Sequence, residues 1–209
     1  YEAFYSHLPL PDEVRAGFVK GKLIYDEAEL SFKKGVLNTA QSLMNRSAAL
    51  VGGAYYFGDE MLKDYFDAHN EWKRLNGEAI RASFSQNIIV IDKVARKLYV
   101  YKNGKHLHEM ASELGTNWVG DKYREGDMTT PEGKYMVSQK KQGNRTIYYK
   151  ALLLNYPNEQ DKLRFEDNKQ KGLIPKNASI GGLIEIHGEG GRGVDWTKGC
   201  IALHNRDMD

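Results

Sequence analysis

The residues best suited to chemistry lie close together near the end of the chain. Cys200 is the single cysteine among 209 residues, and His187 stands thirteen positions before it, at the end of a short apolar run. A thiol becomes a good nucleophile when a base takes its proton, and acyl transfer also needs N–H groups that bind the oxyanion. Gly199 allows a sharp turn just before Cys200, so N–H groups there can point into a site. These residues indicate nucleophilic catalysis by Cys200 with His187 as the base.

Simpler interpretations exist for several of these residues. A lone cysteine is often a small buried apolar side chain, and one thiol excludes an intramolecular disulfide and a multi-cysteine zinc site. His106 and His108 alternate on one strand and could chelate a metal, but no third ligand has matching spacing, which favours an exposed hairpin face. The glycines after His187 lack the Lys-Ser/Thr of a phosphate-binding loop, so we interpret them as a flexible rim of the site.

Two ordered sets of residues give the chain a family resemblance. The C-terminal set is His187, Gly188, Thr197, Gly199, Cys200, Ile201, Leu203, Asn205 and Asp207. The upstream set is Ile88, Val90, Leu98, Val100, Tyr101, Asn103, Gly104, Gly115, Thr130, Pro131, Gly133 and Tyr135. Together they resemble the L,D-transpeptidase catalytic domain, also called the YkuD domain, over residues 86–209. The helical half that precedes them lies outside the resemblance.

The resemblance implies a mostly β catalytic domain that acts on peptidoglycan stem peptides without a metal or organic cofactor. Cys200 would be the nucleophile, His187 the general base and the Gly188 carbonyl the group that orients the imidazole. The N–H groups of Lys198, Gly199 and Cys200 would form the oxyanion hole. A thioester would form and pass to an acceptor amine, giving a 3-3 cross-link or an exchange product. Carbapenems are the inhibitor class that the resemblance implies.

The substrate-binding residues are predicted less directly. The family commonly has arginine after Cys-Ile, where this chain has Ala202, so another arginine must hold a substrate carboxylate. Arg192 and Arg145 are the candidates, with Arg164 as a further one, because guanidinium groups bind carboxylates in a bidentate fork. Trp196 could stack on substrate or serve packing alone, and Thr197 occupies the usual Ser/Thr position of the motif.

The first 83 residues have helical periodicity. Asp26 and Glu29 can form a capping box before an apolar run over residues 36–51, and Asp59 can cap a second run over residues 62–79 that includes Leu62, Tyr65, Phe66 and Trp72. Glycines at 52, 53 and 58 separate the runs, which predicts an antiparallel helical hairpin. Its bulky stripe should pack on the β domain or on a partner.

The periodicity changes to that of strands from Asn87. Strands are predicted over residues 87–92, 96–102, 105–111, 134–139, 148–154, 183–187 and 200–204. Asn103-Gly104 predicts a hairpin turn, because both residues tolerate positive φ. The long connection over residues 140–182 is predicted to hold a short helix after Pro157 and to act either as a lid or as a surface excursion. The predicted fold is α+β, with a helical module over residues 1–83 and a sandwich-like catalytic domain over residues 84–209.

Composition excludes several classes of protein. Thirty Lys and Arg against 28 Asp and Glu give a net charge of +2, too small to favour nucleic acid, and no apolar window predicts a transmembrane segment. The chain opens at Tyr1 without a leader and stops soon after Asp207, so we expect a processed protein or a fragment. The resemblance implies a bacterial cell-envelope protein, periplasmic or secreted, in cell-wall biogenesis and cell shape. The alternatives are an L,D-carboxypeptidase or hydrolase at the same site and a non-catalytic peptidoglycan-binding scaffold; the helical module could bind an envelope protein.

Overall fold

In the computed structural model of the chain, the described residues are 10 and 12–209, without the side chains of residues 12 and 64–67. The described residues through Asp67 form one compact unit, and Ala68–Asp209 form a second. No helix in the described part of the chain is long and apolar enough to cross a membrane. The predicted boundary between modules near residue 83 stays a prediction, since it concerns which segment can fold and react alone.

The first unit is a pair of helices, α1 (Asp12–Lys33) and α2 (Leu37–Asp67), joined by a short turn. Gly35 makes that turn with φ of +76°, a conformation that glycine adopts without a steric penalty. The predicted helix start at Asp26 is wrong, because Asp26 and Glu29 both lie inside α1. The helices approach closely at Gly21, where Ser47 Oγ donates a 2.8 Å hydrogen bond to the Gly21 carbonyl.

The predicted hairpin between residues 52 and 58 is also wrong, because α2 runs through all three glycines and through Asp59. A Cβ added at Gly52 or Gly53 would have no atom within 4 Å, so neither glycine is required by close packing. Each costs roughly 1 kcal/mol in a helix, which burial of the α2 stripe offsets. That stripe includes the buried residues Ala40, Ala54 and Leu62. Two members of the predicted stripe, Tyr65 and Phe66, lie outside the described side chains.

The second unit begins with α3 (His69–Ala82), followed by an antiparallel sheet of β1 (Ile88–Asp92), β2 (Lys97–Lys102) and β3 (Lys105–Ala111). The predicted strands and hairpin turn are confirmed: Asn103 and Gly104 have φ of 52° and 73°. Leu98 of β2 is fully buried on one face of the sheet.

A second sheet contains β4 (Val137–Gln142), β5 (Lys150–Leu154), β6 (Glu185–His187) and β7 (Ile201–Ala202), paired in that order. The first two pairings are antiparallel and the pairing of β6 with β7 is parallel. The predicted strand over residues 134–139 is displaced toward the C-terminus. The predicted strand over residues 200–204 is only two residues long and begins after Cys200.

The connection between β5 and β6 contains α4 (Glu159–Gln170), the short helix predicted after Pro157. Asn158 caps it in a capping box with Asp161, which satisfies N–H groups at the helix start. The predicted fold class is therefore confirmed: the chain is α+β, with N-terminal helices followed by a β-rich part built from two sheets.

Candidate active site

The parallel pairing of β6 and β7 brings His187 to the strand that directly follows Cys200. Ile186 pairs with Ile201 and His187 with Ala202, so Cys200 stands beside Glu185, one position before the paired residues. Paired residues of neighbouring strands project to the same face of a sheet, and residues two apart share a face. Glu185 and His187 therefore share one face of β6, and Cys200 lies in the turn immediately before β7. The sheet brings together the two residues that the motif predicted to act together.

The His187 imidazole is fully buried and held in one orientation. Its Nδ1 lies 2.7 Å from the Gly188 carbonyl oxygen, which can only accept, so Nδ1 is the protonated nitrogen. In the neutral ring, Nε2 then carries the lone pair. Nε2 is buried and has no hydrogen-bond partner. The ring thus presents an unused base, and its contact with Gly188 is the one expected from the motif.

Two aromatic residues pack against this imidazole. The Tyr148 ring stacks on it with 3.6 Å between centroids and 9° between planes, and the Trp196 ring meets it edge-on at 5.8 Å. Burial lowers the pKa of His187, because the charged imidazolium loses its hydration. The base is therefore neutral at neutral pH. Tyr148 was not predicted as a site residue, since nothing in its local sequence links it to His187.

The Cys200 thiol does not bond to the imidazole in this structure. It donates instead to the Leu183 carbonyl at 3.6 Å, a carbonyl that is positioned by a left-handed backbone with φ of 56° at Leu183. Burial raises the pKa of Cys200, again because the charged form loses hydration. The resting pair is thus a neutral thiol beside a neutral imidazole. A hydrogen bond between them stays a prediction for the substrate-bound state.

Thr197 shapes the turn that leads into Cys200. Its buried hydroxyl donates to the Cys200 carbonyl at 2.7 Å and accepts the Gly199 N–H at 3.1 Å. Gly199 has φ of 130°, and a Cβ there would lie 2.7 Å from the Thr129 carbonyl oxygen, so only glycine fits. Of the three predicted oxyanion-hole donors, Gly199 is therefore already engaged with Thr197, and the roles of Lys198, Gly199 and Cys200 stay predictions.

The rim of the site carries an exposed arginine. The Arg192 guanidinium lies over the Trp196 ring, 3.5 Å from its centroid. The same Trp196 ring contacts the His187 imidazole. Arg145 is exposed in the connection between β4 and β5, three residues before Tyr148, and no described contact links it to the pair. Arg164 instead pairs with Asp121 at 3.0 Å and with Asp161.

Two further charged groups near the site were not predicted from the sequence. Glu185 shares a face of β6 with His187 and forms a 2.8 Å ion pair with Lys141 of β4. Glu113 accepts hydrogen bonds from the glycine-rich loop and from Trp196. Glu185 could be placed beside Cys200 only when the register of β6 and β7 is known. No local signal identifies Glu113.

The described residues include no group of three or more His, Cys, Asp or Glu side chains that could hold a metal ion. The two histidines considered as ligands lie on β3, where the His106 ring contacts the His108 carbonyl at 2.9 Å. Both are exposed, as expected for a hairpin face.

The site thus contains His187 at the end of β6 and Cys200 directly before the parallel neighbour β7, in a turn that requires glycine at position 199. A family profile for the L,D-transpeptidase catalytic domain, YkuD, matches residues 86–209, which is more than half of the chain. The chain belongs to this L,D-transpeptidase catalytic domain family. The family assignment made from the two motifs is confirmed.

Curated proteins similar to this chain come from two strains of Escherichia coli, K12 and O157:H7. Both carry the name "Putative L,D-transpeptidase YafK" and are 29% identical to this chain over 91 residues. The matched segment is 44% of this chain and 30% of each relative. The chain thus aligns with less than a third of the length of these relatives.

Proposed function

We propose that the chain is a peptidoglycan L,D-transpeptidase that transfers an acyl group through a Cys200 thioester. The observation that carries this proposal is the buried, unpartnered Nε2 of His187, whose strand pairs with the strand that directly follows Cys200. A buried polar atom without a hydrogen-bond partner destabilises the folded protein, and a catalytic role is one explanation for such an atom. Membership of the L,D-transpeptidase family supports this proposal, and the substrate that we propose is a tetrapeptide stem.

Acylation needs the thiol proton to move first. The Cys200 side chain turns from the Leu183 carbonyl toward Nε2 of His187, which takes the proton as general base. The sulfur then bonds to the carbonyl carbon of the third stem residue, and the carbonyl oxygen becomes an oxyanion. When this intermediate collapses, the carbon–nitrogen bond breaks and the terminal D-alanine leaves with the proton held on Nε2. The product is a thioester on Cys200.

The oxyanion would be bound by backbone N–H groups of the turn at residues 198–200. The Gly199 N–H can join the Lys198 and Cys200 N–H groups when the oxyanion competes with the neutral Thr197 hydroxyl, because an anion is the stronger acceptor. Thr197 therefore contributes by setting the shape of the turn, in addition to any substrate contact. Gly188 contributes through its carbonyl, which keeps the proton on Nδ1.

Deacylation determines which product forms. An acceptor amine, such as the side chain of a second stem, attacks the thioester and gives its proton to His187 Nε2. The amide bond forms, the carbon–sulfur bond breaks and the sulfur recovers a proton, which leaves a 3-3 cross-link or an exchange product. Water in place of the amine gives the carboxypeptidase or hydrolase alternative at the same site.

Arg192 is the residue best placed to bind a substrate carboxylate. Its guanidinium is stacked on Trp196, which fixes its plane and leaves the N–H edges for a bidentate contact. No described ion pair occupies Arg192, whereas Arg164 is engaged with two aspartates. Trp196 would then act as the platform for Arg192. Arg145 stays a second proposed contact for a substrate that extends over the connection between β4 and β5.

The same proposal assigns the protein to the bacterial cell envelope, periplasmic or secreted, where peptidoglycan lies. Its products would contribute to cell-wall biogenesis and cell shape. Its partners are peptidoglycan stem peptides. The two-helix unit would bind an envelope protein, a role that exposed apolar residues of α1 such as Leu23 and Phe32 favour.

The first test is incubation of the protein with a tetrapeptide muropeptide, alone and with an acceptor amine, followed by mass analysis. We expect loss of D-alanine and a coupled product with the acceptor, and a single carbapenem adduct on the intact protein. Cys200→Ala should abolish both. His187→Asn should slow turnover about 100-fold or more, because the base is lost. The matched control, His108→Asn, removes an exposed histidine of β3.

The products separate the alternatives. Product that contains water in place of the amine would assign a carboxypeptidase or hydrolase. Binding of the muropeptide without product and without an adduct would assign a scaffold. An adduct that survives in Cys200→Ala would contradict the assignment of the nucleophile.

A further inference from the structure

Glu113 makes three hydrogen bonds to the rim of the site through one carboxylate. Its Oε1 accepts the N–H groups of Gly191 at 3.0 Å and Gly193 at 2.7 Å. Its Oε2 accepts the Trp196 indole N–H at 2.7 Å. The carboxylate and the indole are 83 residues apart in the chain, so this contact exists only in the folded protein.

The two glycine contacts fold the loop around Arg192. Gly191 and Gly193 have φ of 99° and 74°, and their N–H groups converge on one oxygen, which is the geometry of a backbone anion site. Glu113 fills this site with an internal anion. Arg192 lies between these two glycines, at the apex of the bend. Its guanidinium lies over the Trp196 ring.

The backbone of Glu113 ties this rim to β7, the strand that directly follows the proposed nucleophile. Its N–H donates to the Ala202 carbonyl at 2.9 Å, and its carbonyl accepts the Ala202 N–H at 2.8 Å. Ala202 lies two residues after Cys200 and pairs with His187 on its other side. The carboxylate therefore holds the Arg192–Trp196 stack at a fixed position relative to both catalytic residues.

We propose that Glu113 is a positioning residue that sets the Arg192–Trp196 stack for recognition of a free carboxylate on the stem peptide. This proposal rests on the proposed function for its substrate. Glu113 accepts the N–H groups of the loop, and the Arg192 guanidinium is therefore the cationic group that stays available to a substrate carboxylate.

Glu113→Gln tests this with little change in shape. A carboxamide has one acceptor oxygen, which can serve the two glycines or the indole but not both. The amide nitrogen then faces an N–H donor, so the bond to Trp196 or the bonds to the loop must break. The matched control is Glu109→Gln, which removes an exposed carboxylate of β3 that pairs with Lys97.

Two measurements follow from the geometry. In ¹⁵N-indole-labelled protein, the signal assigned by its loss in Trp196→Phe should shift in Glu113→Gln and stay in place in Glu109→Gln. In the Cys200→Ala background, calorimetry should show that Glu113→Gln weakens binding of a tetrapeptide about tenfold, the size of one charge-assisted contact. A peptide with amidated carboxylates should bind Glu113→Gln and its parent equally.

An unshifted indole signal in Glu113→Gln, or equal weakening for the free and amidated peptides, would overturn the proposal. If Glu113→Gln does not fold, Glu113→Asp, whose carboxylate is one methylene shorter, is measured in the same way. Failure of the proposed function has a different signature: the unaltered protein would turn over no stem peptide, whereas the indole shift and the selective loss of carboxylate binding would still be seen.

Discussion

At the scale of single residues, the proposed catalytic pair, Cys200 and His187, is held in a neutral resting state. The imidazole is fixed by Gly188 and stacked under Tyr148, while the thiol is bonded to the Leu183 carbonyl. Burial raises the pKa of Cys200 and lowers the pKa of His187, so both shifts oppose a thiolate–imidazolium pair. Reactivity would then be switched on by proton transfer when a substrate is bound.

This arrangement predicts a steep pH dependence of thiol reactivity. The thiolate is the reactive form, and a raised pKa makes it a small fraction of the protein at neutral pH. The rate of alkylation by iodoacetamide should therefore rise about tenfold per pH unit from pH 6 to 8. The measurement is the pseudo-first-order rate of mass addition to the intact protein, with Cys200→Ala as the blank.

His187→Asn supplies the control for this profile. Because the resting thiol makes no bond to the imidazole, the substitution should leave the pH dependence of alkylation largely unchanged while muropeptide turnover falls. A rate that is flat from pH 6 to 8 in the unaltered protein, and becomes steep in His187→Asn, would show instead that the two residues form an ion pair at rest.

At the scale of elements, the turn before β7 positions the nucleophile. Thr197 bonds to both the Cys200 carbonyl and the Gly199 N–H, and Gly199 fits against the Thr129 carbonyl. The parallel pairing of β6 and β7 joins His187 to the strand that directly follows this turn. The position of the sulfur thus depends on a glycine conformation as much as on the strands.

Gly199→Ala should disrupt this element. The added methyl would lie 2.7 Å from the Thr129 oxygen on a backbone with φ of 130°. We expect the free energy of unfolding to fall by roughly 1–3 kcal/mol and carbapenem acylation to slow about tenfold or more. Denaturant titration and intact-protein mass spectrometry measure the two effects.

Gly182→Ala is the matched control, since that glycine has nothing within 4 Å of an added Cβ. It should acylate like the unaltered protein. Equal stability and equal acylation of the two variants would mean that the turn at Gly199 tolerates a side chain and does not limit the site.

At the scale of the whole molecule, α3 is part of the compact unit that contains the sheets. Ser83, just after α3, is buried, its carbonyl accepts the Asn103 N–H at 2.7 Å and its hydroxyl accepts the Gly104 N–H at 3.0 Å. The Phe84 ring covers Gly104. The residues around the predicted boundary therefore belong to the contacts that hold the β1–β3 sheet.

Two fragments test where the catalytic unit begins. Residues 68–209 should unfold cooperatively, and residues 84–209 should be less stable by about 2–3 kcal/mol, because two hairpin N–H groups lose their acceptors. Ser83→Ala in the longer fragment isolates the contribution of the hydroxyl. Denaturant titration compares the three proteins, and equal stability of both fragments would support the boundary between residues 83 and 84.

The same fragments address the predicted packing of the helical half on the β domain. A carbapenem adduct that forms as fast in residues 68–209 as in the whole chain would assign the α1–α2 unit to recruitment of a partner. A slower or less soluble fragment would support the predicted docking.

The sequence alone determined the features that depend on residues close together in the chain. The Thr-x-Gly-Cys turn, the His-Gly pair and the Asn-Gly hairpin each contain their own conformational requirement, because positive φ and short-range hydrogen bonds are local properties. A short apolar run located β1, alternation located β2, and the Asn-Gly turn located β3 as its partner, for the same reason. Helical periodicity identifies the N-terminal half as helical, but the breaks predicted at glycines 52, 53 and 58 are wrong, because α2 runs through them and Gly35 makes the turn.

Tertiary structure decided what lies around the catalytic pair. Tyr148 over His187, Lys141 beside Glu185 and Glu113 under the Trp196 loop join residues that are far apart in the chain. Local pattern carries no information on such contacts, since each residue is ordinary for its own strand or connection. They arise from strand order and register, which are set by how the whole sheet buries its apolar face. The pairing of β6 with β7 brings the segments that contain His187 and Cys200 next to each other.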